Sequence, residues 1–184
     1  MKDALAIHRR LLSLQIHHEI VRLPRAMTCA DDLPDILHVD PASCVRVTVF
    51  EVTARSERRP VAVVGAVAAP PRPGAVAALL GARKVRPAPA FLVNSATDYA
   101  ASAVAPLLLP DELTVLVDER LAAGLDPDQP VHTPTGERRT ALRIRAFDLL
   151  SLIHGKHVDL QAARHRHGRH TAHREARPAA GATC

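Results

Sequence analysis

The spacing of hydrophobic and polar positions predicts a helix and then three strands in the first part of the chain. Apolar side chains recur every three or four positions between residues 4 and 15, which predicts an opening helix. Alternation over residues 18–23 predicts a strand, and the apolar runs 45–52 and 61–67 predict two more. The polar turn 55–59 joins these two runs and indicates a hairpin.

Prolines, glycines and a capping residue mark the predicted helix boundaries. Thr28 is predicted to cap a second helix, because its hydroxyl and the following Asp31 and Asp32 suit the positive end of a helix. A third helix is predicted over residues 74–80, after three prolines. Residues 84–106 contain further prolines and are predicted to be irregular.

The remaining pattern decides the fold class. Strands are predicted over residues 114–117, 131–132 and 140–145, and a closing helix over residues 147–153. Helices and strands are interspersed, yet several strands look hairpin-connected. We therefore predict an α/β (α+β) fold with a mixed sheet rather than a doubly wound parallel one.

Apolar periodicity stops after Leu160, which sets the predicted domain boundary. A chain of 184 residues suits one domain, which we assign to residues 1–160. Residues 161–184 are rich in Arg and His and contain no large aliphatic residue. Such a segment buries too little apolar surface to order itself, so a disordered tail is predicted.

Charge is concentrated in that tail. The net charge is +5, but residues 161–184 carry five arginines against Glu175 alone. Residues 1–160 hold 19 basic and 18 acidic residues, so the predicted domain is nearly neutral. Bulk charge therefore gives no reason to assign nucleic-acid binding to the domain.

The chain has the composition of a cytoplasmic protein. No stretch approaches the ~20 apolar residues of a membrane span, and the first residues lack the apolar core of a signal peptide. Cys29, Cys44 and Cys184 are odd in number and form no CxxC pair. Free thiols in a reducing compartment are expected, with no membrane partner.

Several residues have chemistry that the sequence alone leaves open. The small-residue run 100–105 before Pro106 could present backbone N–H groups to a ligand, or pack tightly against the sheet. Cys44 could be a nucleophile, although a buried thiol is the simpler interpretation. Lys84 could supply a positive charge to a site, although a solvated helix end is the simpler interpretation. His17 and His18 could approach the rim of a pocket, although adjacent strand residues face opposite sides.

No cofactor is predicted. His165, His167 and His170 of the tail could hold a transition metal loosely, or simply be solvated. The arginines of the same tail could bind phosphates without sequence preference. No paired acidic site, phosphate loop or zinc-finger spacing occurs in the chain.

Two motifs near the middle of the chain identify a family resemblance. TDY at residues 97–99 and SAVAP at residues 102–106 stand where the YbaK and prolyl-tRNA-editing domains usually have Thr-Gly-Tyr and Gly-Gly-Val-Ser-Pro. The order of elements also agrees: Thr28 with its acidic helix start, a strand at 45–50, a helix end at Gly81, and a strand ending in Asp118. The chain thus resembles these aminoacyl-tRNA deacylases over most of residues 5–160.

The resemblance implies a fold, a substrate and a site. The partner would be the 3′ end of a mischarged aminoacyl-tRNA, whose ester is hydrolysed in trans without a protein base. Backbone N–H groups of the loop would hold the ester carbonyl, and Arg46, at the family's lysine position, would position the substrate. The substrate-binding positions carried over are Thr28, Asp98, Ser102, Ala103, Ala105, Pro106 and Asp118.

This chain departs from the family's usual residues within that site. Arg46 replaces a lysine, so a planar fork replaces a compact ammonium. Asp98, Ser102 and Ala103 stand at glycine positions, and Ala105 at a serine position. If the glycines have positive φ, each replacement costs roughly 1–2 kcal/mol. The alternative to a deacylase is therefore a catalytically inactive relative that binds tRNA ends, nucleotides or a protein partner.

Overall fold

The computed structural model describes residues 1–54 and 57–161, which form helices around two β-sheets. The helices are α1 (Ala4–Ser13), α2 (Leu33–Leu37), α3 (Pro73–Leu80), α4 (Ala90–Thr97), α5 (Glu119–Ala123) and α6 (Ala146–Leu152). The strands are β1 (His18–Arg22), β2 (Val45–Ala54), β3 (Glu57–Ala66), β4 (Lys84–Pro87), β5 (Thr114–Asp118), β6 (Pro130–Pro134), β7 (Thr140–Arg145) and β8 (Lys156–Val158).

The two sheets confirm the predicted mixed α/β fold. A five-stranded sheet has the order β4-β2-β3-β5-β8, in which β3, β5 and β8 run parallel and the other pairs are antiparallel. A smaller antiparallel sheet has the order β1-β7-β6. An isolated parallel bridge between Cys44 and His132 connects the two at the start of β2.

The predicted hairpin is the longest pairing in the fold. β2 and β3 are paired from Val45 with Ala66 to Ala54 with Glu57, and β4 covers the other edge of β2. Both strands are rich in valine, whose branched side chain packs well on a pleated surface. This makes β2 an internal strand whose position is fixed from both sides.

Side-chain alternation along β2 gives its two faces different partners. Val45 and Val49 belong to the main hydrophobic cluster, together with Ile7 and Leu11 of α1. Phe50 and its neighbours on the opposite face pack against α3 in a second cluster. Because successive strand residues point to opposite sides, Arg46 shares the face of Phe50 rather than the face of Val45.

Residues 84–106 are more regular than the sequence predicted. They contain β4 and α4, because the prolines that suggested irregularity stand at element boundaries. Pro87 is the last residue of β4, and Pro89 is the N-cap of α4. Proline has no N–H to donate, which is compatible with a strand end and a helix start. The sequence pattern alone does not distinguish prolines at the boundaries of helices and strands from prolines inside an irregular segment.

The predicted capping role of Thr28 is wrong in its detail. The turn that precedes α2 is a short 3₁₀ helix, Ala30–Asp32, whose N-cap is Cys29. Thr28 instead donates its hydroxyl and its backbone N–H to the carboxylate of Asp32, both at 2.6 Å. The acidic turn is therefore tied to the residues before it by Asp32.

Two further predictions concern the C-terminal tail and membrane-spanning helices. The predicted tail, 161–184, lies outside the described residues apart from Gln161, and so do its three histidines and five arginines. None of the helices in residues 1–54 and 57–161 has the length and apolar character needed to cross a bilayer.

Gly136 is expected to be indispensable for stability. Its φ is +95°, and an added Cβ would lie 2.4 Å from the carbonyl oxygen of Lys2 and 2.9 Å from the ring of Tyr99. We expect Gly136→Ala to lower the free energy of unfolding by about 2 kcal/mol or more in urea titrations. Gly74→Ala is the control, because Gly74 has no atom within 4 Å of an added Cβ. Its helical position should make that change neutral or slightly stabilising, and equal losses would contradict the steric argument.

Candidate functional site

Arg46 stands on the floor of the candidate site, near the start of β2. Its guanidinium forms an ion pair with Asp31, which lies in the 3₁₀ turn before α2. The side chain of Arg46 is only 19% exposed, and its Nε is buried without a hydrogen-bond partner. Thr48, two residues further along the same face, also has a buried and unpartnered side-chain oxygen. Buried polar atoms are almost always paired, so these two are candidates for ligand contacts.

Gly65 lies between Arg46 and Asp118 and has no side chain. It is the register partner of Arg46 on β3, and a Cβ added to it would lie 3.7 Å from the Cβ of Asp118 on β5. Arg46, Gly65 and Asp118 therefore form a row across three strands on one face of the sheet. We call the position of the missing side chain in the middle of this row the gap.

Asp118 is held firmly in place at the end of this row. It is 2% exposed, and both carboxylate oxygens accept from Nε of Arg120 at 3.0 Å. One of them also accepts from the backbone N–H of Arg120, which caps α5. The hydrogen bonds that Arg120 donates to Asp118 raise the pKa of Arg120. Asp118 thus caps α5, so its carboxylate has a structural role besides the substrate contact that the resemblance implies.

The loop 98–106 is fixed by hydrogen bonds at both ends and in its middle. The buried Tyr99 donates its hydroxyl to the carbonyl of Leu107 at 2.8 Å, which closes the loop across its base. The side-chain oxygen of Asn94 accepts from Ala101 N at 2.9 Å. Gly136 N donates to Ala103 O at 2.8 Å, so the turn after β6 supports the loop from the side.

Four N–H groups of this loop make no hydrogen bond within the described ranges. They are the backbone N–H groups of Ala100, Ser102, Val104 and Ala105. Val104 and Ala105 are themselves buried. Unpaired backbone donors at buried positions are rare, and they commonly point to a bound ligand or water. Ala103, Ala105 and Pro106 are buried as well, which also fits the tight packing that the sequence left open for this run.

Ala103 brings the loop to the strand that carries Arg46. It lies in one buried cluster with Cys44, which stands two residues before Arg46, and Val67 packs against the same cluster. Val67 N donates to Cys44 O at 2.8 Å, so these two residues extend the β2–β3 ladder towards the loop. Burial raises the pKa of the Cys44 thiol to about 11. A thiol of this kind is protonated near neutral pH, which agrees with the buried rather than the nucleophilic interpretation.

Thr28 forms part of the opposite wall through Asp32. The hydrogen bond from the Thr28 hydroxyl is the main reason why the pKa of Asp32 is lowered. Thr28 and the paired Asp31 are both exposed, so they border the open side of the row rather than its floor.

The other candidates lie elsewhere. Lys84 is on β4, beside the far end of β2. His18 is hydrogen-bonded to His8 at 2.8 Å and to the carbonyl of Ile16 at 2.7 Å, while His17 borders a separate cleft. No group of three His, Cys, Asp or Glu side chains in the described part of the chain is arranged to hold a metal ion.

Pro106 also borders a cavity on the other side of the sheet. This cavity of about 440 Å³ is lined mainly by apolar residues, among them Ile7, Leu11 and Val115. Val115 belongs to the cluster of Val45 and Val49, so the cavity faces away from Arg46. It is therefore distinct from the row that Arg46 and Asp118 define.

Sequence reasoning missed the residues that shape the gap. Asp31 was recognised only as an acid near a helix start, and Gly65 only as part of a buried strand. Gly65 inside an otherwise valine-rich strand was the available signal, since glycine in a strand often marks a close approach of another group.

The strain expected at the three glycine positions occurs at one of them. Asp98 has φ +60°, whereas Ser102 and Ala103 are absent from the positive-φ residues of the described ranges. Asp98 is the C-cap of α4, a position where glycine is favoured.

This difference gives a paired stability prediction. Asp98→Gly should raise the free energy of unfolding by about 1 kcal/mol, because it removes the left-handed strain. Ser102→Gly should lower it by about 0.5 kcal/mol, because glycine there only adds entropy to the unfolded chain. Denaturant titration measures both, and a gain for Ser102→Gly would show that the loop is strained there too.

The chain is similar to a known domain family and to several solved structures. The family model described as "Aminoacyl-tRNA editing domain" matches residues 24–152. A scaffold structure from work on epitope backbone grafting is 20% identical, with a TM-score of 0.68 over 85% of this chain and 95% of that chain. A structure described as a candidate trans-editing enzyme for prolyl-tRNA synthetase is 22% identical, with a TM-score of 0.67 over 85% of this chain and 94% of that one. The search of curated proteins gave no match.

Proposed function

The chain belongs to the aminoacyl-tRNA editing domain family, and on that premise we propose that it hydrolyses the ester of mischarged tRNA in trans. The substrate in this proposal is the aminoacylated 3′ end of a tRNA. The solved structures are less than 25% identical, so they support the fold rather than the reaction. The proposal therefore depends on the family and on the arrangement of the site.

The observation that carries the proposal is the meeting of Arg46 with the loop 98–106. Ala103 packs with Cys44, two residues before Arg46 along the chain, and Gly65 has no side chain at the register position of Arg46. A charged end of a nucleotide fits between a buried guanidinium and backbone donors. Had the loop packed at the far end of β2, nothing in the fold would have supported this substrate.

The unpaired backbone donors of the loop suit ester hydrolysis. When water attacks the ester carbonyl, negative charge develops on its oxygen, and fixed N–H groups stabilise that charge. The N–H groups of Ser102, Val104 and Ala105 have no partner in the described ranges and are assigned this role. The side chains of Val104 and Ala105 pack in the main cluster, whereas Ala103, between Ser102 and Val104, packs with Cys44 at the start of β2. An aminoacyl ester is already activated, so positioning and charge stabilisation account for much of the rate. A protein base is therefore not required.

Arg46 is assigned to substrate positioning. Its Nε has no partner, and its guanidinium is held in one orientation by Asp31. A planar, pre-oriented guanidinium holds a phosphate or a hydroxyl with less loss of side-chain entropy than a free lysine. Thr28 and Asp118 border this position, and we assign them supporting roles in substrate binding.

Deacylation assays on a panel of mischarged tRNAs test the proposal. We expect the wild-type protein to release amino acid above the buffer rate from at least one member. Arg46→Ala should reduce that rate about tenfold or more, because a charge-assisted hydrogen bond contributes roughly 1.5–3 kcal/mol. Arg59→Ala is the control, since Arg59 is exposed on β3 near the far end of the hairpin. Absence of turnover on every member of the panel would refute the proposal that the protein is a deacylase.

A specific observation favours a second function, that of a non-catalytic binder. Arg46 is already neutralised by Asp31, and methyl groups occupy family glycine and serine positions at Ala103 and Ala105. Such a relative would keep the pocket and bind tRNA ends, nucleotides or a protein partner.

Restoring the family residues distinguishes the two functions. We expect Arg46→Lys combined with Ser102→Gly and Ala103→Gly to raise the deacylation rate if the protein is a weakened catalyst. A repurposed binder would gain no activity and would lose affinity for its ligand. The free energy of unfolding is measured alongside, so that a loss of fold is not mistaken for a loss of function.

A further inference from the structure

Four exposed arginines lie together beside the candidate site. Arg22 ends β1, Arg25 follows it, and Arg138 and Arg139 stand in the turn that leads into β7. We call these four residues the basic rim. They belong to two separate stretches of sequence, so the run of charge is visible only in the fold.

Backbone pairing holds the two stretches against each other. Leu23 N donates to Arg139 O at 2.8 Å, and Met27 N donates to Arg138 O at 2.8 Å. In addition, Nε of Arg138 donates a hydrogen bond to Met27 O at 2.9 Å. The basic rim is therefore a fixed surface of the fold and not a set of independent side chains.

The basic rim adjoins both walls of the site. Thr28 follows Met27 directly, so one stretch continues into the acidic turn that holds Arg46. The other stretch begins just after Gly136, whose N–H donates to Ala103 O in the loop. The basic rim is therefore continuous along the chain with the turn that pairs with Arg46 and with the turn that supports the loop 98–106.

Three of these guanidinium groups make no hydrogen bond in the described part of the chain, and the fourth, that of Arg138, is bonded to Met27 O through its Nε. Within residues 1–54 and 57–161, no ion pair involves any member of the basic rim. By contrast, other arginines of the fold are already matched with carboxylates: Arg46, Arg58, Arg86, Arg120, Arg143 and Arg145. The nearby acids are Glu137, which accepts from Thr140, Asp31, which is paired with Arg46, and Asp32, which accepts from Thr28. The pKa of Asp32 is lowered mainly by these Thr28 hydrogen bonds and to a smaller extent by the charge of Arg25. Positive charge therefore exceeds negative charge here, although the predicted domain is nearly neutral.

We propose that the basic rim binds phosphates of the single-stranded RNA that leads into the site. This inference rests on the proposed function for its choice of RNA as the partner. Unpaired arginines favour phosphate because their fork offers two parallel hydrogen bonds, and binding releases counterions from the RNA. The rim thereby supplies affinity, while the site itself reads only the terminal residue.

A second set of exposed cations offers a matched control. Arg59, Arg83 and Lys84 are exposed and form no ion pair in the described ranges. Arg83 N donates to Thr53 O, and Lys84 is the register partner of Thr53. Thr53 is seven residues along β2 from Arg46, about 23 Å at strand spacing. Neutralising this set removes the same charge at a distance from the site.

The experiment compares two triple variants of the full chain. One carries Arg22→Gln, Arg25→Gln and Arg139→Gln, and the other carries Arg59→Gln, Arg83→Gln and Lys84→Gln. Arg138 is kept, because it donates to the backbone of Met27. Binding of a labelled single-stranded RNA oligonucleotide and of uncharged tRNA is measured by fluorescence anisotropy over a range of salt concentrations. Residues 161–184 are present in both variants, so their arginines contribute equally.

We expect the rim variant to bind RNA about tenfold or more weakly at low salt. The slope of log K against log salt should fall by about 2, as expected for three lost phosphate contacts to a single strand. The distal variant should bind like the wild type. Equal losses in both variants, or no loss in the rim variant, overturn the proposal. Equally tight rim-dependent binding of polyglutamate would overturn the assignment to RNA and favour an acidic protein partner.

The two proposals fail in different ways. If the wild type hydrolyses mischarged tRNA and the rim variant binds RNA normally, RNA binding by the basic rim is refuted and the deacylase activity stands. If the wild type shows no turnover but its RNA binding depends on the rim arginines, the deacylase activity is refuted and RNA binding by the basic rim stands.

Discussion

Alternation along β2 is the constraint from which the site follows. The strand is paired with β3 over residues 45–54 and with β4 over residues 50–53, which fixes its register, and every second side chain faces the same way. Val45 and Val49 are thereby committed to the main core, and Arg46 to the opposite face. A shift of one residue would bury the guanidinium among α1 and the cavity leucines. The hydrophobic packing of one face therefore fixes the position of the charge on the other.

The sequence predicted the strands of the hairpin and the mixed fold well, because long valine-rich runs leave little choice of structure. It predicted the family from the order of weak motifs around residues 97–106. It did not predict β4 or α4, since two prolines at their boundaries resemble a loop when neighbouring strands are unknown. The gap at Gly65 was also beyond reach, because it exists only once β3 lies between Arg46 and Asp118.

Ion pairing separates arginines with internal roles from arginines that face outwards. Arg120 forms an ion pair with the buried Asp118, and Arg86 forms one with the buried Glu51 at 2.7 Å. A count of charges along the sequence weighs these arginines equally with Arg25 and Arg139. That is why near-neutral composition gave no reason to expect a basic surface, whereas the fold concentrates unmatched charge beside the site.

The run 100–105 next to Arg46 is fastened largely by groups outside that run. The Tyr99 hydroxyl, the Asn94 side chain and the Gly136 amide hold its two sides. Ala103, Val104 and Ala105 are themselves buried in the hydrophobic clusters, whereas the unpaired donors belong to the backbone. The direction of the loop amides therefore depends partly on residues that the motif 97–106 does not contain. Asn94 and Gly136 stand outside that motif, so a change at either position would reach the site without altering the motif.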